Sequence, residues 1–520
     1  MGTTAANKQA TLEALRKLVE QGQTDEVVAL VASLLDNLSG LSLEVARLKR
    51  SLVGRKSEKI DPNQLSLMLE LVRQSAAGQE TSAATNDEPL PKPNPPSNPP
   101  KRSGHGRKPL PEDLPREVVD LHPAPEALVC QECGDNKQCI GHDIALTIDF
   151  EPATIKVIER RRHKYACRAC EGSIVIAPTP PQVIEKGLAE AGLLAHVAVS
   201  KYADHNPLNR IRKILRRSGI DLPISTLTDW VSYCGTLLEP LAARIGQLAL
   251  ESHLLQADDT GIVVVDSDSP NGSKRGHLWA YLGDRRWAYF DYTPNREAAG
   301  PYRYLKHRKG WLQVDAYSGY DRLFRGDQAQ AVEVGCWAHT RRYFFEVVQA
   351  GDHRAAVALD KIAKLYEVER KANELELGPE ARAKLRRAES EPVLNDLMRW
   401  VVDTYNEEPP KSPLRRGLTY AINQYQALRR FLEDGRLPLD NNDCERELRA
   451  VAVGRKNYLF AGNDAAAQRS AVFYTLLGTC KHAGVEPWAY LRDVMQRIAE
   501  GWPKRRLDEL LPPNWSPVAR

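Results

Sequence analysis

The sequence predicts a multidomain α/β protein, and three observations carry that prediction. Two apolar runs, Leu254-Leu-Gln-Ala-Asp258-Asp259 and Gly310-Trp-Leu-Gln-Val-Asp315, read as strands that end on acids, with the aromatic strands Leu278–Leu282 and Trp287–Tyr292 between them. From Ala355 to Phe431 the apolar period is helical almost throughout, with breaks around Gly378-Pro379 and Glu408-Pro-Pro410. Ahead of these runs lie stretches of different composition, and 520 residues leave room for two to four domains.

In residues 1–75, Val27, Val31, Leu34, Leu38, Leu41, Val45, Leu48 and Leu52 alternate in steps of four and three, the seam of a coiled coil. Gly40 interrupts the seam, so a helical hairpin is the alternative. Residues 76–115 are rich in Pro, Asn, Ser and Gly and cannot bury enough apolar surface to offset ordering, so they read as an extended linker. Its basic segment Lys101–Lys108, with Arg107 and Lys108, has the character of an arm that enters a minor groove or stays solvated.

In residues 116–182, Cys130-x-x-Cys133 and Cys167-x-x-Cys170 offer four soft thiolates, the ligand set of a structural tetrahedral Zn²⁺. Between them Ile144–Phe150 and Thr154–Ile158 alternate like strands, and Cys139 is left over. Residues 183–250 are helical: Arg210, Arg212, Lys213, Arg216 and Arg217 make a basic amphipathic helix, Gly219 ends it, and Ser225 is placed to cap the next. That pattern suits a helix-turn-helix reader of DNA and equally a plain helical hairpin.

The acid-bearing strands fall in residues 251–350, which close on a strand at Ala331–Gly335 and a helix start carrying His339, Arg341 and Arg342. A helical insertion at 351–436 accounts for the long gap between Asp315 and the third acid. In 437–480, Asn441 and Asn442 signal a helix start, Glu445 sits in its first turn, and Arg446, Arg449, Arg455 and Lys456 add cations. Residues 481–520 form a helical tail. Strand with Asp, hairpin, strand with Asp, then helix with Glu is the element order of a ribonuclease-H-like core, in which three carboxylates converge on two divalent ions about 3.5–4 Å apart.

Several runs together resemble the DDE transposases of the insertion sequence 66 family: Ala-Asp258-Asp-Thr, Leu-Gln-Val-Asp315-Ala-Tyr-Ser-Gly-Tyr, Cys336-Trp-Ala-His339-Thr-Arg-Arg-Tyr-Phe, Asn441-Asn-Asp-Cys-Glu445-Arg and Gly454-Arg-Lys-Asn-Tyr-Leu-Phe-Ala-Gly462. The resemblance implies a catalytic triad of Asp258, Asp315 and Glu445 holding two Mg²⁺ or Mn²⁺ ions. It also implies cleavage and strand transfer at the ends of the element, and companion proteins encoded by the same element. This chain has Asp258-Asp259-Thr260 where the family has Asp-Glu-Thr, which leaves Asp258 and Asp259 both open as the first acid.

The balance of 72 basic and 68 acidic residues is only +4, so DNA binding rests on local clusters rather than bulk charge. No apolar run of 18 residues spans a membrane and no hydrophobic signal core stands at the N-terminus, so a cytoplasmic, nucleoid-associated protein is expected. Gly54-Arg-Lys-Ser57 lacks the earlier glycine of a phosphate-binding loop, so no ATP is implied. Two element ends processed together call for a homodimer or larger assembly. A DNA-binding regulator whose catalysis has decayed, or a nuclease without strand transfer, would keep parts of this pattern.

Overall fold

The computed structural model describes residues 181–325 and 329–517, together with residues 65, 66, 68–70, 72, 155, 158, 164, 165, 175 and 176. The chain divides into two units, Met1–Glu80 with Arg162–Arg520, and Thr81–Arg161. The sheet, the helices and the acid site all belong to the first unit. The heptad seam, the proline-rich linker with Arg107 and Lys108, the four zinc-type cysteines and, apart from Ile155 and Ile158, the strands proposed between them lie outside the described residues.

A five-stranded sheet forms the centre. Its strands are β1 (Leu254–Val265), β2 (Ser273–Gly283), β3 (Trp287–Thr293), β4 (Gly310–Gln313) and β5 (Ala331–Val334), in the spatial order β3-β2-β1-β4-β5. The first three run antiparallel, and β4 and β5 run parallel to β1. Asp284 and Arg285 both take positive φ, 49° and 54°, in the three-residue loop between the paired Gly283 and Trp287, where Arg286 N donates to Gly283 O at 2.9 Å. The Asp284 carboxylate then accepts from the backbone N–H of His253 and Leu254, both at 2.9 Å, tying the hairpin to the start of β1.

Three helices precede the sheet: α1 (Ala191–Tyr202), α2 (Leu208–Arg217) and α3 (Ile224–Glu251). α2 is the expected basic helix; it buries Ile211 and Leu215 and ends near Gly219 at φ +84°. The helix after it departs from expectation. Pro223, not Ser225, takes the N-cap position, and the helix runs for 28 residues. It buries Leu227, Trp230, Leu238, Leu241 and Ile245 in the same apolar cluster as the sheet. α3 packs one face into that cluster and leaves Ser225, Thr228, Asp229, Tyr233 and Thr236 exposed on the other.

After β5 come α4 (Trp337–Gln349) and the insertion, built from α5 (Ala356–Glu374), α6 (Pro379–Leu385), α7 (Glu391–Glu407) and α8 (Pro413–Asn423). A second apolar cluster, with Phe344, Leu359, Ile362, Leu394, Leu397, Leu418 and Phe431, holds the insertion together. Inside it the buried Arg386 grips Glu369 with two hydrogen bonds, 2.6 and 2.8 Å, and donates to the carbonyls of Phe431 and Asp434. All its charge is thereby answered, which a buried guanidinium requires.

The chain closes with α9 (Asn442–Tyr458), α10 (Asp464–Ala483) and α11 (Pro487–Ala499). α10 covers the outer edge of the sheet. Phe290 N donates to Thr475 Oγ1 at 2.9 Å and Thr479 Oγ1 donates to the carbonyl of Ala288 at 3.2 Å, so polar groups of edge strand β3 are met by side chains of a helix. Among the described residues no helix is long and apolar enough to cross a membrane.

Candidate active site

Two strands carry their acids at matching positions. Gln256 of β1 is paired in register with Gln313 of β4, and Gln256 Nε2 donates to Gln313 Oε1 at 2.8 Å in the interior. Side chains two apart on a strand share a face, so Asp258 continues the row begun by Gln256. Asp315 lies the same two positions past Gln313, just beyond the end of β4. There the chain turns through Ala316 at φ +62°, and Asp315 Oδ1 accepts from Tyr317 N at 3.1 Å.

The same amides attach the third acid. Gln256 Nε2 also reaches the carbonyl of Asp440 at 3.2 Å, and Gln313 Nε2 donates to the carbonyls of Gly335 and Pro438 at 3.1 and 2.9 Å. Asn441 was expected to cap α9 with its side chain. It occupies the N-cap position, but its Nδ2 donates instead to Ala257 O at 2.9 Å, and the capping contact comes from Asp440 Oδ1, which accepts from Asn442 N at 3.1 Å. Cys444 Sγ donates to Ala280 O, the residue opposite Asp258 across β1 and β2. Glu445 lies in the first turn of α9, the helix that these contacts tie to β1 and β2.

The electrostatics record this convergence. Burial pushes the Asp258 carboxyl up to about 8; the negative charge of Asp315 adds to the push and Glu445 adds less, while a hydrogen bond from Asp259 N opposes it. Glu445 Oε1 is buried without a hydrogen bond, with His339 Nε2 3.8 Å away. Three hard carboxylate groups with an excess of negative charge and an unmet buried oxygen fit a divalent cation in their chemistry. Among the described residues no three His, Cys, Asp or Glu side chains are drawn together closely enough to cage one.

Asp258 and Asp259 have different surroundings. Successive strand residues face opposite ways, and Asp259 meets His277 Nδ1 at 2.6 Å and Arg296 Nη2 at 2.8 Å, both through a carboxylate that is only 6% exposed. Its oxygens are answered, whereas those of Asp258 face other acids.

The cations scatter over several surfaces. Arg446 and Arg449 are exposed on α9, Arg446 pairing with Asp443, and Lys456 is exposed near its end. Arg455 instead donates to Thr260 Oγ1 at 2.8 Å and to Gly261 O, clamping α9 to β1. Arg341 and Arg342 lie on α4, two and three residues past His339. Arg210, Lys213, Arg216 and Arg217 are exposed on α2, and Arg212 is bound to Asp221 at 3.0 Å. Cys336 is buried and accepts from Asn441 N; burial pushes its thiol up to about 12.

The sequence reading missed the glutamine pair, although Leu-Gln-x-Asp occurs at both 255–258 and 312–315. It also missed Glu447, buried on α9 beneath Lys481.

Sheet and site define a mixed α/β protein whose central strands present a row of acids to an acid-bearing, arginine-rich helix. The chain belongs to the IS66 transposase family. The family described as Transposase IS66 family matches residues 186–469, and the IS66 C-terminal element matches 475–512. The zinc-finger binding domain of transposase IS66 matches 128–171, and a domain described as Transposase C of IS166 homeodomain matches 40–119. Family membership makes this a transposase of an insertion sequence with DNA-binding and zinc-finger domains. The chain is also similar to two proteins of Sinorhizobium fredii. "Uncharacterized protein y4hP" is 33% identical over 507 residues, covering 91% of this chain and 88% of that protein; "Uncharacterized protein y4qI" is 33% identical over 508 residues, covering 93% and 90%. No solved structure matches.

Proposed function

We propose that the chain cleaves DNA at the ends of its own element and joins the freed ends to a target, with Asp258, Asp315 and Glu445 as the catalytic acids of a ribonuclease-H-like core. The observation that carries this reading is geometric: Gln256, Gln313 and Asn441 tie together β1, β4 and the start of α9, the three separate elements that bear Asp258, Asp315 and Glu445, and Glu445 Oε1 is buried without a hydrogen bond. The strand order β3-β2-β1-β4-β5, with only β4 and β5 parallel to β1, supports the ribonuclease-H-like assignment.

Asp258, Asp315 and Glu445 would hold magnesium or manganese. Bound divalent ions there supply activation of the attacking oxygen and stabilisation of the leaving oxygen in a phosphodiester exchange. The protein's own contribution is placement. The glutamine pair and Asn441 hold the three acids in register, while His339 stands beside Glu445 at 3.8 Å. Arg446, Arg449 and Lys456 draw the DNA backbone in, an attraction that falls steeply with salt. In cleavage, water adds to phosphorus and the 3′-oxygen of the element end leaves. In joining, that 3′-hydroxyl attacks a target phosphodiester and a target 3′-oxygen leaves. One P–O bond forms as one breaks, so no ATP is required.

The zinc-finger region would bind one Zn²⁺ through Cys130, Cys133, Cys167 and Cys170. A cytoplasmic homodimer or larger assembly, joined by the 27–52 seam and aided by proteins of the same element, would bring two ends together.

The test is cleavage and strand transfer on duplexes carrying the element's terminal repeats. Wild-type protein is expected to do both with Mg²⁺ and Glu445→Gln neither, while still binding the ends. Binding without cleavage by the wild type would make this a regulator, and cleavage without joining a nuclease.

A further inference from the structure

On α9, the turn after Glu445 borders a pocket of about 490 Å³ between α9, α10 and the end of α1, a volume in the range of small-ligand sites. Its floor is aromatic. Phe290 and Tyr474 pack with ring centroids 5.6 Å apart, and Tyr202 meets Tyr474 edge-on at 5.6 Å. Cations stand at its mouth: Arg446 and Arg449 from α9 and Lys481 from α10.

Two polar groups inside have capacity to spare. Glu447 is 6% exposed and its Oε1 accepts from Lys481 Nζ at 2.8 Å, with His482 Nε2 3.2 Å away. His205, at φ +58°, also lines the pocket, and its buried Nδ1 has no hydrogen-bond partner. A non-glycine residue in that backbone region is strained, and such strain collects at ligand sites.

The pocket adjoins the acid site. Arg449 follows Glu445 by four residues, which puts their side chains about 6 Å apart on one helix. That is the reach of about two stacked nucleotides at 3.4 Å per step.

We propose that this pocket receives one nucleotide of the element end, swung out of the duplex beside the phosphodiester at Glu445. Its phosphate meets Arg446 and Arg449, its base lies against Tyr474 and Phe290, and an N–H edge of the base donates to Glu447. Guanine, with two adjacent N–H donors on its pairing edge, matches a carboxylate best. The inference rests on the DNA-transferase reading above. Extruding a base loses a few kcal/mol of stacking and pairing, and the pocket returns aromatic contact and charge-assisted hydrogen bonds.

The experiment places 2-aminopurine in turn at each position within a few nucleotides of the cleaved bond and measures fluorescence on binding of the full-length protein. Ala203, exposed at the rim, is changed to Trp to fill the pocket. One position is expected to change intensity with wild-type protein and not with Ala203→Trp. The variant should bind the intact end about tenfold more weakly, the equivalent of about 1.4 kcal/mol. It should bind an end with an abasic site at that position as tightly as wild type does, a rescue that a misfolded variant cannot give.

If no position responds while wild-type protein cleaves normally, or if the abasic end gives no rescue, the pocket assignment is overturned and the transferase reading stands. If dGMP alone saturates the pocket while no DNA position responds, the site serves a free nucleotide and the DNA assignment is overturned. Absence of any end cleavage by wild-type protein removes the transferase reading itself.

Discussion

Gln256 and Gln313 meet amide to amide at 2.8 Å in the interior, and between them they also hold the backbone carbonyls of Asp440, Gly335 and Pro438. The pair joins β1 and β4 to the loop that opens α9, elements separated by up to 184 positions in sequence. It fixes where three acids stand without touching anything they would bind.

Gln313→Leu is therefore expected to strand the carbonyls of Gly335 and Pro438 in the interior and to destabilise the protein by about 2–4 kcal/mol, since each unmet buried group costs about 1–3 kcal/mol. Denaturant unfolding measures this. Cleavage under conditions where the variant stays folded should drop by more than about tenfold with end binding retained; unchanged melting and cleavage would show the contact to be idle.

The paired variants Asp258→Asn and Asp259→Asn should separate. Asp258→Asn is expected to abolish cleavage with the fold intact. Asp259→Asn breaks contacts with His277 and Arg296, so it should lower the melting temperature first and leave residual cleavage. The reverse pattern would move the first catalytic acid to Asp259.

Metal-free stability should depend on pH through Asp258. Its folded value of about 8 lies above the ordinary 3.8, so the folded state holds the proton more tightly than the unfolded chain does. The associated stability is full below the unfolded value and is lost as pH rises through 8, with a ceiling of about 1.4 kcal/mol per pH unit. In chelator, wild-type protein is expected to melt progressively lower from pH 5 to pH 8 and level off above. Asp258→Asn should show a shallower fall; identical slopes would mean that Asp258 is not raised.

Arg455 and Lys456 are neighbours with different expected roles. Lys456→Ala should weaken binding to all DNA sequences alike and reduce the salt dependence by about one phosphate contact. Arg455→Ala should lower thermal stability, because its guanidinium holds Thr260 and Gly261 to α9. A melting curve and a salt titration on each variant distinguish them.

Zinc release from the full-length chain is expected at one equivalent per chain on thiol modification, and Cys167→Ser should reduce that yield to background. A wild-type yield well below one equivalent would remove zinc from the finger region.

Much of the core was legible because strands and helices announce themselves by periodicity. The apolar runs at β1 and β4, the aromatic hairpin, the strand at 331–334 and the helical insertion all stand where their residue patterns put them. The length of α3 was not legible from its start. Ser225 is a plausible cap residue, but Pro223 takes the cap position one residue before the helix begins, and only packing against the sheet reveals how far the buried face of the helix runs.

By itself the sequence determined which residues bring carboxylate, thiolate and guanidinium chemistry, and in which elements they lie, because composition and period are local properties. Tertiary structure alone decided that Asp258 faces the other acids while Asp259 faces His277 and Arg296. Neighbouring strand residues point to opposite faces, and which face meets α9 depends on contacts made from far along the chain. The contact of Asn441 with Ala257, 184 positions away, is one of these.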